Sequence, residues 1–149
     1  MEALIETSAL AVLAALVGVE VTVGCVLHPC LRRLEPEAMR RGRAWTARIL
    51  GAAMPPVYAL AAAGAAAAAV WKAVPGGVAA WWIGSAAVLV MVIVGTMVVL
   101  VPLNSRIAKG APSNSAEWER VTRQWDRWHG ARTVLLVTTL ALEISAAAA

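Results

Sequence analysis

Apolar residues fall into four long runs, at about residues 5–27, 49–70, 80–101 and 131–149, with the polar residues gathered between them. A helix needs about 20 apolar residues to cross a hydrocarbon core about 30 Å thick. The pattern therefore predicts four transmembrane helices. Between the second and third runs lies only the Val74-Pro75-Gly76-Gly77 turn, where proline and glycine allow a tight reversal. The interval before the fourth run has helical periodicity of its own after Pro112. Asn114 and Glu117 form a capping pair. Trp118, Trp125 and Trp128 fall on or near one face, with Glu119, Arg120, Arg123 and Arg127 spread around the rest. An amphipathic helix over about 114–130 is expected to feed directly into span four. The whole is an all-α, up-down four-helix membrane bundle, a single domain over residues 1–149.

Composition agrees with this reading. Of 149 residues, 60% are hydrophobic and 15% charged, and the mean hydropathy is +0.71. Soluble domains run to about 25% charged. The net charge of +4 and pI near 9.8 would suggest nucleic acid in a soluble protein. Here the basic residues flank apolar runs, so anionic lipid head groups are the expected partner and nucleic acid is not. Arg32, Arg33, Arg40, Arg41, Arg43 and Arg48 fall in interval 29–48; Arg106, Lys109, Arg120, Arg123, Arg127 and Arg132 fall in 103–132. Only Lys72 lies elsewhere among the 13 basic residues. The positive-inside rule puts both basic intervals in the cytoplasm and both termini outside, in a cytoplasmic membrane. Trp71, Trp81 and Trp82 around the outer turn, and Trp45 at the inner side, are expected to anchor at the lipid interface. Glu2 and Glu6 in place of a basic leader mark the first run as a retained span. Small residues in spans two and three predict close packing, with faces left for self-association as a homo-oligomer. Cys25 and Cys30 have no metal or redox spacing and are expected to be buried thiols.

Polar residues inside spans are costly and mark functional sites. Glu20 lies inside span one, about 12 Å along the helix from His28. It must be neutral, paired or facing a wet cavity. His28 closes that span before Pro29. Trp125, His129 and Arg132 follow i, i+4, i+7 and share one face at the mouth of span four. Asn104 closes span three, Arg48 opens span two, and Pro55-Pro56 would free the carbonyls of Gly51 and Ala52. The topology brings these residues toward one end of the bundle. Two bases, two cations and an amide suit a phenolate-like aromatic and the charge formed on it. The same His28 and His129 would be the ligands of a haem or copper ion. No Walker loop, nucleophile elbow, HExxH or dinucleotide fingerprint is present.

The stretch Val101-Pro102-Leu103-Asn104-Ser105-Arg106, followed by Arg123-Gln124-Trp125-Asp126-Arg127-Trp128-His129-Gly130-Ala131-Arg132, resembles the anthrone-oxygenase-like family of small membrane proteins. That family shows Val-Pro-x-Asn closing the third span and Trp-x-x-x-His-x-x-Arg opening the fourth, with Asn for the His in some members. The four-span layout and the His28-Pro29 pair are similar too. The resemblance implies oxygenation of an anthrone to an anthraquinone by dioxygen, without an obvious cofactor. On that reading His129 is the base, and Asn104 and Arg132 hold the developing oxyanion. Trp125, His28, Arg48 and Glu20 are expected, from their own positions, to bind a hydrophobic, polycyclic aromatic substrate of the polyketide kind; Glu20 and the two cysteines are not part of the family pattern. The contrasting expectations are a non-catalytic membrane subunit or lipophile-binding module, and a haem or copper redox protein. Fold and family do not by themselves fix activity.

Overall fold

The computed structural model describes residues 2–71, 79–109 and 115–147. The predicted turn at 74–77, Lys72 and the capping residue Asn114 lie outside them. Among the described residues there are four helical rods and no strand. Span one is α-helical over Glu2–Thr22, π-helical over Val23–Leu27 and α-helical again over His28–Leu31. Span two is one helix, Pro36–Trp71. Span three is α-helical over Ala79–Gly95, π-helical over Thr96–Leu100 and α-helical over Val101–Ala108. Span four is one helix, Ser115–Ala147. Each rod is long and apolar enough to cross a membrane, and the chain is an integral membrane protein. Spans one and three each pack against two and four, which closes an up-down ring.

The helices overrun the apolar runs at the basic end. Interval 29–48 is mostly helix, because Pro36 opens span two with its φ preset and no amide to satisfy, and Glu37 complements the first turn. The amphipathic helix and span four are one rod. The two prolines at 55 and 56 do not end span two either.

Spans one and three share a device absent from the sequence reading. Each widens into a π-turn just before an X-Pro pair, His28-Pro29 and Val101-Pro102. The His28 amide bonds the Val23 carbonyl, and the Val101 amide bonds the Thr96 carbonyl. Proline has no amide and its ring crowds the carbonyl four residues back. An extra residue in the preceding turn relieves that crowding. Such turns are rare and gather at functional sites.

The core has three layers. The middle one holds Leu13, Leu16, Val17, Leu89, Val92 and Leu136 with Tyr58. The basic-end layer holds Val23, Leu100, Leu103, Ile107, Trp118 and Trp125. In the third layer Trp82, 0% exposed, packs among Ala9, Ala68, Ala69 and Ala146. Trp82 is thus a core residue and not an interfacial anchor. Adjacent helical residues point about 100° apart, so Trp81 faces outward and Trp82 fills the space that four alanines leave. Trp45, Trp71 and Trp81 are exposed as expected. So is Trp128, whereas Trp118 and Trp125 are buried. Cys25 and Cys30 are free and exposed, which corrects their reading as buried thiols. Val23 and His28 take the inward positions of that stretch instead.

Candidate functional site

The site lies between the middle and basic-end layers. Glu20 is 2% exposed and enters from span one. Its Oε2 accepts from Arg132 Nη2 at 2.6 Å, and its Oε1 accepts from the Tyr58 hydroxyl at 2.7 Å. His129 Nδ1 lies 3.1 Å from the same Oε2. A buried carboxylate is tolerable only when paired and hydrogen-bonded, and here spans two and four supply the partners. The pairing answers the question raised by Glu20 in the sequence.

Backbone geometry fixes the tautomer of His129. Its Nε2 lies 3.1 Å from the Glu20 carbonyl oxygen. A carbonyl only accepts, so Nε2 carries hydrogen. The basic atom is therefore Nδ1, which sits between Arg132 Nη2 at 3.2 Å and the Glu20 carboxylate. The neutral ring accepts from Arg132, and a proton arriving on Nδ1 is held by Glu20. Trp125 stacks on His129, with centroids 4.6 Å apart and planes at 13°.

Arg132 also lies over the Tyr58 ring at 5.3 Å and reaches Thr96 Oγ1 at 3.4 Å. Its Nε is buried without a partner among the described residues, which leaves one donor for a ligand. Asn104 donates through Nδ2 to the Ala47 carbonyl at 2.8 Å. A side-chain amide has two N–H groups, so the second remains to be used.

Glu20, Tyr58, Thr96, Asn104, Trp125, His129 and Arg132 are the polar wall of a cavity of about 140 Å³, whose other walls are apolar. Both π-turns contribute, through Val23 and through Thr96, Met97 and Leu100. Pro55, Ala59, Met97 and Val101 line it and are exposed on neighbouring faces of spans two and three. The cavity therefore opens between these spans, toward the lipid-facing surface.

Two glycines make room for the polar groups. A Cβ at Gly51 would stand 2.6 Å from Asn104 Nδ2, and one at Gly24 would stand 3.3 Å from His129 Nε2. Gly51→Ala should displace the end of Asn104 and break its bond to Ala47. The gain in helix propensity, about 0.5–1 kcal/mol, offsets the lost bond. We expect turnover to fall with the melting temperature nearly unchanged, measured on the purified variant. A parallel loss of both would show that Gly51 serves packing alone.

Two of the sequence candidates fall outside this cavity. Arg48 gives Nε and Nη2 to the Ala108 carbonyl at 2.9 and 2.8 Å, and so caps the end of span three. Helix C-termini leave such carbonyls free, and that use keeps Arg48 away from the substrate wall. His28 lies toward the basic end, buried, with Nδ1 3.3 Å from Asp126 Oδ1. Asp126 also takes Arg43 at 2.5 Å and Arg32 at 2.9 Å. The His28 and His129 rings are 6.1 Å apart and inclined at 48°. His28 turns Nδ1 to Asp126 and His129 turns Nε2 to the Glu20 carbonyl, so each ring has one nitrogen committed to a protein partner. Among the described residues no group of three or more His, Cys, Asp and Glu side chains could hold a metal ion.

Tyr58, Thr96, Arg43 and Asp126 were not among the sequence candidates. Tyr58 is the only tyrosine in the chain and lies within an apolar span, a signal that could have found it. Asp126 stands one helical turn before His129 amid arginines, where its charge reads as surface.

The fold and site together define a small integral membrane protein with a buried acid–base cluster in an apolar cavity. The sequence pattern of the anthrone oxygenase family matches residues 43–142. The chain belongs to that family. Tyr58, Asn104, Trp125, His129 and Arg132 lie inside the matched stretch; Glu20 and His28 precede it. No curated protein and no solved structure matches the chain.

Proposed function

We propose that the protein is a membrane-embedded oxygenase of a hydrophobic, polycyclic aromatic substrate of the anthrone type. One observation carries this reading: the Glu20–His129–Arg132 cluster lies in the wall of an apolar cavity that opens between spans. An apolar ring system would reach the cavity from the lipid. His129 Nδ1 takes a proton from the activated CH₂ of the substrate, and the Glu20 carboxylate stabilises the imidazolium. Arg132 Nε and the free Asn104 amide hydrogen stabilise the charge delocalised onto the substrate oxygen. The carbanion adds dioxygen and the peroxide takes a proton from His129. Loss of the second C–H proton and cleavage of O–O then give the ketone and water. One dioxygen is consumed per CH₂ converted to C=O, with one oxygen atom in the product and one in water.

The purified protein in lipid nanodiscs should accelerate anthraquinone formation from an anthrone in air, with one dioxygen taken up per quinone. A sample that binds the anthrone without accelerating its oxidation would overturn this reading and support a lipophile-binding module.

A further inference from the structure

Two cavities meet at Glu20 and His129. One is the apolar cavity described above. The other is a groove of about 450 Å³ between spans one and four, with His28, Arg32 and Asp126 in its wall toward the basic end and the exposed Val21, Val134 and Val137 in the rest. Among the described residues, Glu20 and His129 alone line both. We propose that this groove is a proton-exchange path, which connects the Glu20–His129 pair through His28 and Asp126 to the water at the basic end, apart from the route taken by the substrate.

The groove is polar where a proton needs it. His129 and His28 are 6.1 Å apart between ring centroids, and the proposed path needs a water between their nitrogens. His28 Nδ1 then reaches Asp126 at 3.3 Å. The far end is open to the surface among charged groups: the Asp126 side chain is 24% exposed and that of Arg32, bonded to it, 57%. Trp125 stacks on His129 from the cavity side and lines the cavity but not the groove. It separates the two compartments.

The charged and titratable groups around the path come from three spans. Glu20 from span one and Arg132 from span four face His129, and Tyr58 from span two bonds Glu20. Asp126 and His129 from span four, Arg43 from span two and Arg32 in the turn that follows span one surround His28 or its partner. The exchange is balanced: the proton taken from the substrate carbon to Nδ1 leaves along the groove, and one solvent proton returns.

This inference rests on the assignment of His129 as proton acceptor, and the test separates the two. The full-length protein in phosphatidylcholine–phosphatidylglycerol vesicles is given an anthrone in D₂O without oxygen. Deuterium entering the substrate carbon is followed by mass spectrometry, above the protein-free rate. The wild type should exchange. His28→Gln should slow exchange by about a hundredfold, the lower end of what a positioned proton-transfer group contributes, with anthrone quenching of tryptophan fluorescence retained. Exchange as fast as wild type in that variant would overturn the path and leave the base assignment standing. A wild type without exchange would overturn both. A second measurement does not depend on the folding of His28→Gln. In a Cys30→Ser protein, Cys25 in the groove wall should react with a small charged methanethiosulfonate, and exchange should then fall. An unreactive Cys25, or exchange unchanged after labelling, would show a lipid-filled groove and overturn the path.

Discussion

Replacing His129 with alanine is expected to lower turnover of an anthrone by about 10²–10⁴-fold while the protein still inserts and folds. That range is what a positioned proton acceptor contributes. The loss follows from geometry. Nε2 is committed to the Glu20 carbonyl, so Nδ1 alone can take a proton, and it lies within reach of the Glu20 carboxylate. Removing the ring removes both the acceptor and the stacking partner of Trp125. The fold is spared because Glu20 keeps Arg132 and Tyr58 as partners. Steady-state turnover together with thermal unfolding in detergent checks both halves. Retained turnover would remove His129 from the chemistry.

Replacing Glu20 with alanine is expected to act on stability as well as on rate. The Arg132 guanidinium would lose its counter-ion in an apolar layer, and the Tyr58 hydroxyl would lose its acceptor. Removing one partner of a buried ion pair costs about 3–5 kcal/mol. Charges inside a bilayer follow the same rule, since lipid offers no alternative solvation. Glu20→Gln keeps the volume and an acceptor for Tyr58, and should cost less while still depriving the imidazolium of its carboxylate. Unfolding in mixed micelles would measure the difference. A Glu20→Ala protein within about 1 kcal/mol of wild type, the scale of an exposed pair, would mean that Arg132 is solvated in some other way.

Much of this architecture is legible along the chain. The four apolar runs specify four spans because nothing shorter than about 20 residues crosses the membrane. Trp125, His129 and Arg132 could be grouped because helical spacing alone puts them on one face. Glu20 could be flagged by its cost in an apolar run, though not paired, because its partners come from other spans. Arg48 and Asn104 show the limit. Both sit at the same end by topology, yet Arg48 caps a carbonyl and Asn104 lines the cavity. That choice depends on where each side chain points, which periodicity does not encode. The π-turns were hidden for a related reason. His28-Pro29 and Val101-Pro102 read as helix ends, and whether a helix stops or widens before proline depends on what packs beside it. Trp82 read as an interfacial anchor because adjacent tryptophans suggest a belt; the alanines facing it belong to three other spans.

The most direct test of the Glu20–His129–Arg132 site as an oxygenase centre is turnover of an anthrone under ¹⁸O-labelled dioxygen. Wild type and His129→Ala would be compared in the same lipid at equal folded concentration. Wild-type protein should give anthraquinone carrying one labelled oxygen at a rate well above the protein-free reaction, and His129→Ala should fall close to that background. Equal rates of label incorporation with wild type, with the variant and without protein would contradict it.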